Sequence, residues 1–95
     1  MKTHLLPANT HIVIPVATTR RGQMQLRVES ERPVEVGIVN AREVEEFRKT
    51  GNLGGFGFRG ARSRHNIEMM IDPGDWYLLI ANFGKVPTSV GWTIS

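Results

Sequence analysis

At 95 residues the chain can hold one domain with a single modest core, and it is too short for two. Apolar residues make up 40% and charged residues 22%, the balance of an ordinary globular protein, which argues against a wholly disordered chain. Cysteine is absent, which excludes a disulfide framework, a thiolate zinc site and a cysteine nucleophile. The formal net charge of +3 favours acidic partners only weakly, but its placement is uneven. Nine of the twelve basic residues are arginine, and residues 56–65 contain Arg59, Arg62 and Arg64 with no acid.

The opening MKTHLLPANTH has no apolar run of signal-peptide length, and no stretch approaches the roughly 18 apolar residues of a membrane helix. A soluble cytoplasmic protein is the expectation. Residues 11–17 (HIVIPVA) then put Ile12, Ile14 and Val16 on one face, with the donor-less Pro15 marking a sheet edge. Residues 18–22 (TTRRG) read as a turn. Residues 23–29 (QMQLRVE) alternate most clearly, with Met24, Leu26 and Val28 inward and polar residues between them, as in an antiparallel strand with one wet face. Residues 30–33 read as a polar turn, after which Val34, Val36 and Ile38 resume the inward stripe.

The rhythm changes at Asn40, which suits an N-cap with Glu43 completing a capping box and Val39 and Val44 a hydrophobic staple. Lys49 and Gly51 suit the end of the helix, so a short helix over 41–49 is expected. Residues 52–66 (NLGGFGFRGARSRHN) are rich in glycine and read as the one long loop, the kind of segment that often carries function. Residues 67–71 (IEMMI) form a strand, and Asp72-Pro73-Gly74-Asp75 a tight turn. The following WYLLIANF is apolar on both faces, as in a central strand reached by a hairpin. Residues 84–89 turn the chain into a last strand with Val90, Trp92 and Ile94 inward. The outcome is an all-β domain, a small antiparallel β-sandwich of about six strands with one short helix.

Motifs that carry chemistry are few. Gly55-Phe56-Gly57-Phe58-Arg59-Gly60 matches G-x-G-x-x-G in form, but a dinucleotide site needs a strand before it and a helix after it, the reverse of the order here. The same residues share a Gly-Phe-Gly-Phe centre with an RNA-recognition motif. They depart from it at Gly54, Arg59 and Ala61, and the second helix of that fold is missing. The sequence leaves a looser candidate, in which Phe56 and Phe58 stack and Arg59, Arg62, Arg64 and His65 neutralise single-stranded nucleic acid or another anion. The competing reading tucks both phenylalanines into the core and leaves the arginines solvated. Trp76, Tyr77 and Trp92 offer a carbohydrate platform, although at alternating strand positions they also suit a core. His4, His11 and His65 stand on separate segments without ligand spacing, Asp72 and Asp75 suit a turn, and Ser63 with His65 lacks an orienting acid. Neither a metal, a cofactor nor an enzyme is expected.

The run PVEVGIVNAREVEEF through Gly51, then NIEMMIDPGDWYLLIANFGK and a closing Val-x-Trp-x-Ile strand, resembles a family of short bacterial β-sandwich domains of unknown function. Members occur alone or joined to Toll/interleukin-receptor-type domains. The likeness spans about the last two-thirds of the chain and implies a β-sandwich in a bacterial setting, with no assigned chemistry. The expected function is a non-catalytic binding or assembly module, self-associating or engaging a protein partner through an exposed strand edge. Nucleic-acid or anion binding by residues 54–65 and carbohydrate binding by the strand aromatics are the alternatives.

Overall fold

A computed structural model of the chain describes residues 3–52 and 59–95. In order they form β1 (Thr3–Leu6), β2 (Thr10–Thr18), β3 (Gly22–Val39), α1 (Ala41–Thr50), β4 (Arg59–Ile71), β5 (Gly74–Asn82) and β6 (Thr88–Ile94). The six strands pair antiparallel into one curled sheet, so the domain is all-β with a single short helix, as the sequence predicts. Among the described residues no helix is long and apolar enough to cross a membrane.

The strands are not the six expected. β1 is additional, and the two runs read on either side of a turn at 30–33 are one 18-residue strand, β3. The inward stripe explains the continuity: Met24, Leu26, Val28, Val34, Val36 and Ile38 are all buried and all share one parity. What looked like a turn is a bulge. From Glu29 to Val34 β3 advances five residues while β4 advances only two, from Arg64 to Arg62.

The bulge lets β3 serve three partners. β4 runs along one edge, since Leu26 pairs with both Ile67 and Ile94, and Val36 with both Arg59 and Ile80. On the other edge β6 takes residues 26–30 and β5 takes residues 35–39. Past the bulge, β6 leads outward to β1, and β5 leads to β2. The two branches curl around a core built from Val28, Val36, Leu78, Ile80 and Val90, none of which exposes measurable surface. Burying such side chains contributes about 1.5–3 kcal/mol each.

Backbone groups displaced by the bulge are met by side chains. Thr88 Oγ1 accepts from Arg32 N at 2.9 Å, Glu31 Oε1 from Ser89 N at 3.3 Å, and Ser30 Oγ donates to Arg32 O at 2.6 Å. Val34 O accepts from His65 Nε2 at 2.7 Å. Because a carbonyl can only accept, that nitrogen carries the proton.

β5 is buried on both faces, as expected of a central strand: Leu78 and Ile80 enter the main core, Leu79 and Ala81 a second one beneath α1. The helix ends are as the sequence predicts. Asn40 Oδ1 accepts from Glu43 N (2.9 Å) and Glu43 Oε1 from Asn40 N (3.2 Å), and Gly51 closes the helix at φ 73°. Val44 and Phe47 are its two buried residues and join Val39 in the second core.

The Asp-Pro-Gly-Asp turn is correctly placed, with Gly74 at φ 146°, but it does not make a hairpin. β4 pairs with β3, whereas β5 pairs with β2 and β3, so the turn carries the chain from one edge of β3 to the other. Asp72 O receives Thr18 Oγ1 (3.0 Å) and Trp76 Nε1 (2.9 Å), which ties this crossing to β2 and β5. A second clamp lies at the opposite end of β5. Asn82, 2% exposed, directs Nδ2 at the carbonyls of Leu6, Pro7 and Val86 at 3.0–3.2 Å, while its Oδ1 accepts from Gly84 N. One amide thus ties the exit of β1 and the β5–β6 connection to the sheet. Asn82→Ala should lower stability by about 1–3 kcal/mol, the cost of leaving buried polar groups unpaired, as measured by urea unfolding.

Candidate functional site: an open strand edge

A curled sheet that does not close leaves margins, and the three here differ. β1 has four residues and offers little to pair with. β2 is longer, but Pro15 lies at its middle, where it removes a donor from any ladder built on the outer side. This matches the edge position expected from Pro15. β4 has 13 residues, no proline, and a ladder with β3 alone among the described residues.

Along β4 every residue from Arg59 to Arg64 is exposed, while His65, Ile67 and Ile71 turn into the core. A groove of about 280 Å3 lies along the strand, and the described residues that line it are β4 residues between Arg59 and Ile67. Arg64 stands opposite Glu29 and Arg62 opposite Val34, with the register irregularity between them. Below them the outer face of β3 and β4 carries matched polar pairs: Gln25 Nε2 to Glu68 Oε1 at 2.6 Å, Arg27 Nε to Asn66 Oδ1 at 3.4 Å, and Arg64 Nε to Glu29 Oε1 at 3.7 Å. The last is long and exposed, and pairs of that kind contribute little.

The residues singled out in the sequence are therefore separated by the fold. Phe56 and Phe58 lie outside the described residues. Arg59, Arg62 and Arg64 stand on a strand rather than in the loop expected over 52–66. Residues 59–66 are held extended by the ladder to β3, and Gly60 is accommodated where its backbone is exposed. His65 is 3% exposed and bonded to Val34 O, so it supports the bulge from inside while the three arginines face out.

The strand aromatics do not meet either. Trp76 packs against the main core and Tyr77 against the second one, on opposite faces of β5. Trp92 is half-buried, its ring stacked on His4 with centroids 4.8 Å apart and planes at 19°. No shared platform for a sugar ring forms from the three.

Two titratable groups are perturbed, both on the face that α1 covers. His11 and Glu35 flank Ala81 in register, from β2 and β3 respectively. Burial lowers the His11 imidazole below its ordinary 6.5, and the Arg48 guanidinium adds to this. Burial raises the Glu35 carboxyl above its ordinary 4.5. The His11 ring meets Phe47 edge-on at 4.8 Å, and among the described residues no hydrogen bond or ion pair joins it to Glu35. Nor do the described residues bring three His, Asp or Glu side chains together as a metal site. The β4 edge was missed in the sequence because its glycine and arginines hide a pattern that begins to alternate only at His65. Comparison with protein-family models and with curated proteins finds no match to the chain.

His65→Ala should cost about 1–3 kcal/mol in urea unfolding because Val34 O loses its partner inside the fold. An unchanged midpoint would mean that the imidazole does not support the bulge. For Glu35 the sign follows from its raised folded value. Below pH 4.5 the carboxyl is neutral in both folded and unfolded chains, and stability falls as pH rises through the folded value. Glu35→Gln should therefore be more stable than the parent at neutral pH and lose that advantage below pH 4.5, as thermal melts at the two pH values would show.

Proposed function

We propose that the domain is a non-catalytic binding module that accepts an extended segment of another polypeptide along the outer edge of β4. The observation that carries this reading is the contrast between margins: β4 has 13 residues without a proline, whereas β2 is interrupted and β1 is short. An unpaired strand edge presents a row of amides and carbonyls, and strand addition satisfies them with main-chain hydrogen bonds. The groove along β4 is where such a segment would lie. The resemblance to short bacterial β-sandwich domains, some joined to other domains, agrees with a module that acts by binding.

Self-association is one form of the same reading, in which the added strand comes from a second copy. Parallel alignment of two β4 edges sets Arg62 and Arg64 against their counterparts, and like charges directly opposite are destabilising. Antiparallel alignment instead brings them toward Glu68 of the other copy, the one acid on the strand, so charge opposes only the parallel form.

Amide hydrogen exchange tests the edge directly. With peptides selected on the whole protein from a random display library, exchange should slow at alternate residues of β4, those whose N–H groups point away from β3. Protection confined to β2 or β1, or a selection that yields no binder, would remove the reading.

A further inference from the structure

We infer that the partner taken up by β4 is an acidic extended segment, whose carboxylates meet Arg62 and Arg64. This rests on the strand-addition reading and adds to it the chemistry of the partner.

Residues 59–66 contain no acid, and Arg62 and Arg64 are both exposed and stand two residues apart on β4. Glu or Asp side chains on a strand laid beside them bring opposite charge to both, and cross-strand pairs of opposite charge are stabilising where like charges are not. Among the described residues neither Arg62 nor Arg64 is held by a close ion pair. Across the ladder, Arg64 has only the long, exposed contact to Glu29, and Arg27, next to it on β3, adds another cation bonded to Asn66. Glu68 is engaged by Gln25 at 2.6 Å. The guanidinium is suited to the task, because its planar fork holds a carboxylate by two parallel hydrogen bonds.

A second copy of β4 offers only Glu68, which Gln25 already engages, so it brings less negative charge to Arg62 and Arg64 than an acidic strand does. Single-stranded nucleic acid also answers to positive charge and is told apart from an acidic strand by whether oligothymidylate binds.

The test uses the whole protein and three synthetic peptides, in which Glu, Gln or Lys alternates with Val and Thr. Binding is followed by fluorescence anisotropy at low and high salt, with amide exchange on each complex. The Glu peptide should bind, protect alternate β4 amides and weaken with salt. The Gln peptide should bind up to about five-fold more weakly for each opposed pair, and the Lys peptide not at all. Arg62→Glu with Arg64→Glu should reverse the order, and circular dichroism confirms that this double variant is folded. If charge reversal unfolds the chain, Arg62→Gln with Arg64→Gln must abolish the preference for Glu over Gln. Equal binding of the Glu and Gln peptides with β4 protected would overturn the acidic-partner inference and leave strand addition standing. If no peptide protects β4, both readings fall. Salt-sensitive binding of oligothymidylate that depends on Arg62 and Arg64, with no peptide bound, would instead make this a nucleic-acid surface.

Discussion

The fold depends on what happens to β3 at residues 30–33. A regular strand of 18 residues would twist smoothly and present one continuous ladder on each edge. Five residues of β3 set against two of β4 break that regularity, and the second edge divides between β6 and β5. The two branches can then diverge and enclose a core that a single ladder would leave open. Such a kink strands backbone groups, and the protein supplies partners from four places: Thr88 at the start of β6, His65 on β4, and Ser30 and Glu31 within the kink itself. Thr88 and His65 are polar and buried, which would be costly without those bonds. Their burial is the consequence of the bulge.

That constraint also positions the open edge. Because β6 and β5 share one edge of β3, β4 has the other edge to itself along almost the whole strand. The connection through Asp72 and Pro73 then crosses to β5 instead of folding back, so β5 does not cover the far side of β4. In the hairpin expected from sequence, β4 would have been an internal strand and its arginines a solvated face. The crossing leaves the strand as a margin.

Much of this was legible in the residues, and the failures share a cause. The capping box, the αL glycine after α1, the double burial of β5 and the edge proline of β2 are local or periodic features, and each is where the sequence puts it. Residues 30–33 were misread because Ser, Glu, Arg and Pro are what a turn and a bulge have in common, although the unbroken parity from Met24 to Ile38 already favoured one strand. Residues 59–66 were misread because β propensity is weak in Gly, Arg, Ser and Asn, and the ladder to β3 overrides it. His65 looked like part of an exposed basic cluster. Its burial comes from the kink opposite, a non-local fact that no single stretch of sequence contains. Asn82 gave no signal for the same reason, since the carbonyls it binds come from segments about 75 residues away as well as from its own loop.

The two long margins show two solutions to one problem. An exposed edge invites pairing with any extended chain, and proteins blunt it with proline or with charge. β2 uses proline, which acts by geometry and refuses every partner alike. β4 uses arginine, which acts by sign and leaves the main-chain donors and acceptors intact. A geometric block cannot be selective, whereas a charged edge favours strands of opposite sign over strands of its own sign. The difference matters because the cost of an unprotected edge is aggregation, and a strand kept merely for stability would be safer with a proline of its own. Over residues 59–66 β4 carries cations and no acid, so its edge discourages cationic strands without giving up its outward main-chain donors and acceptors.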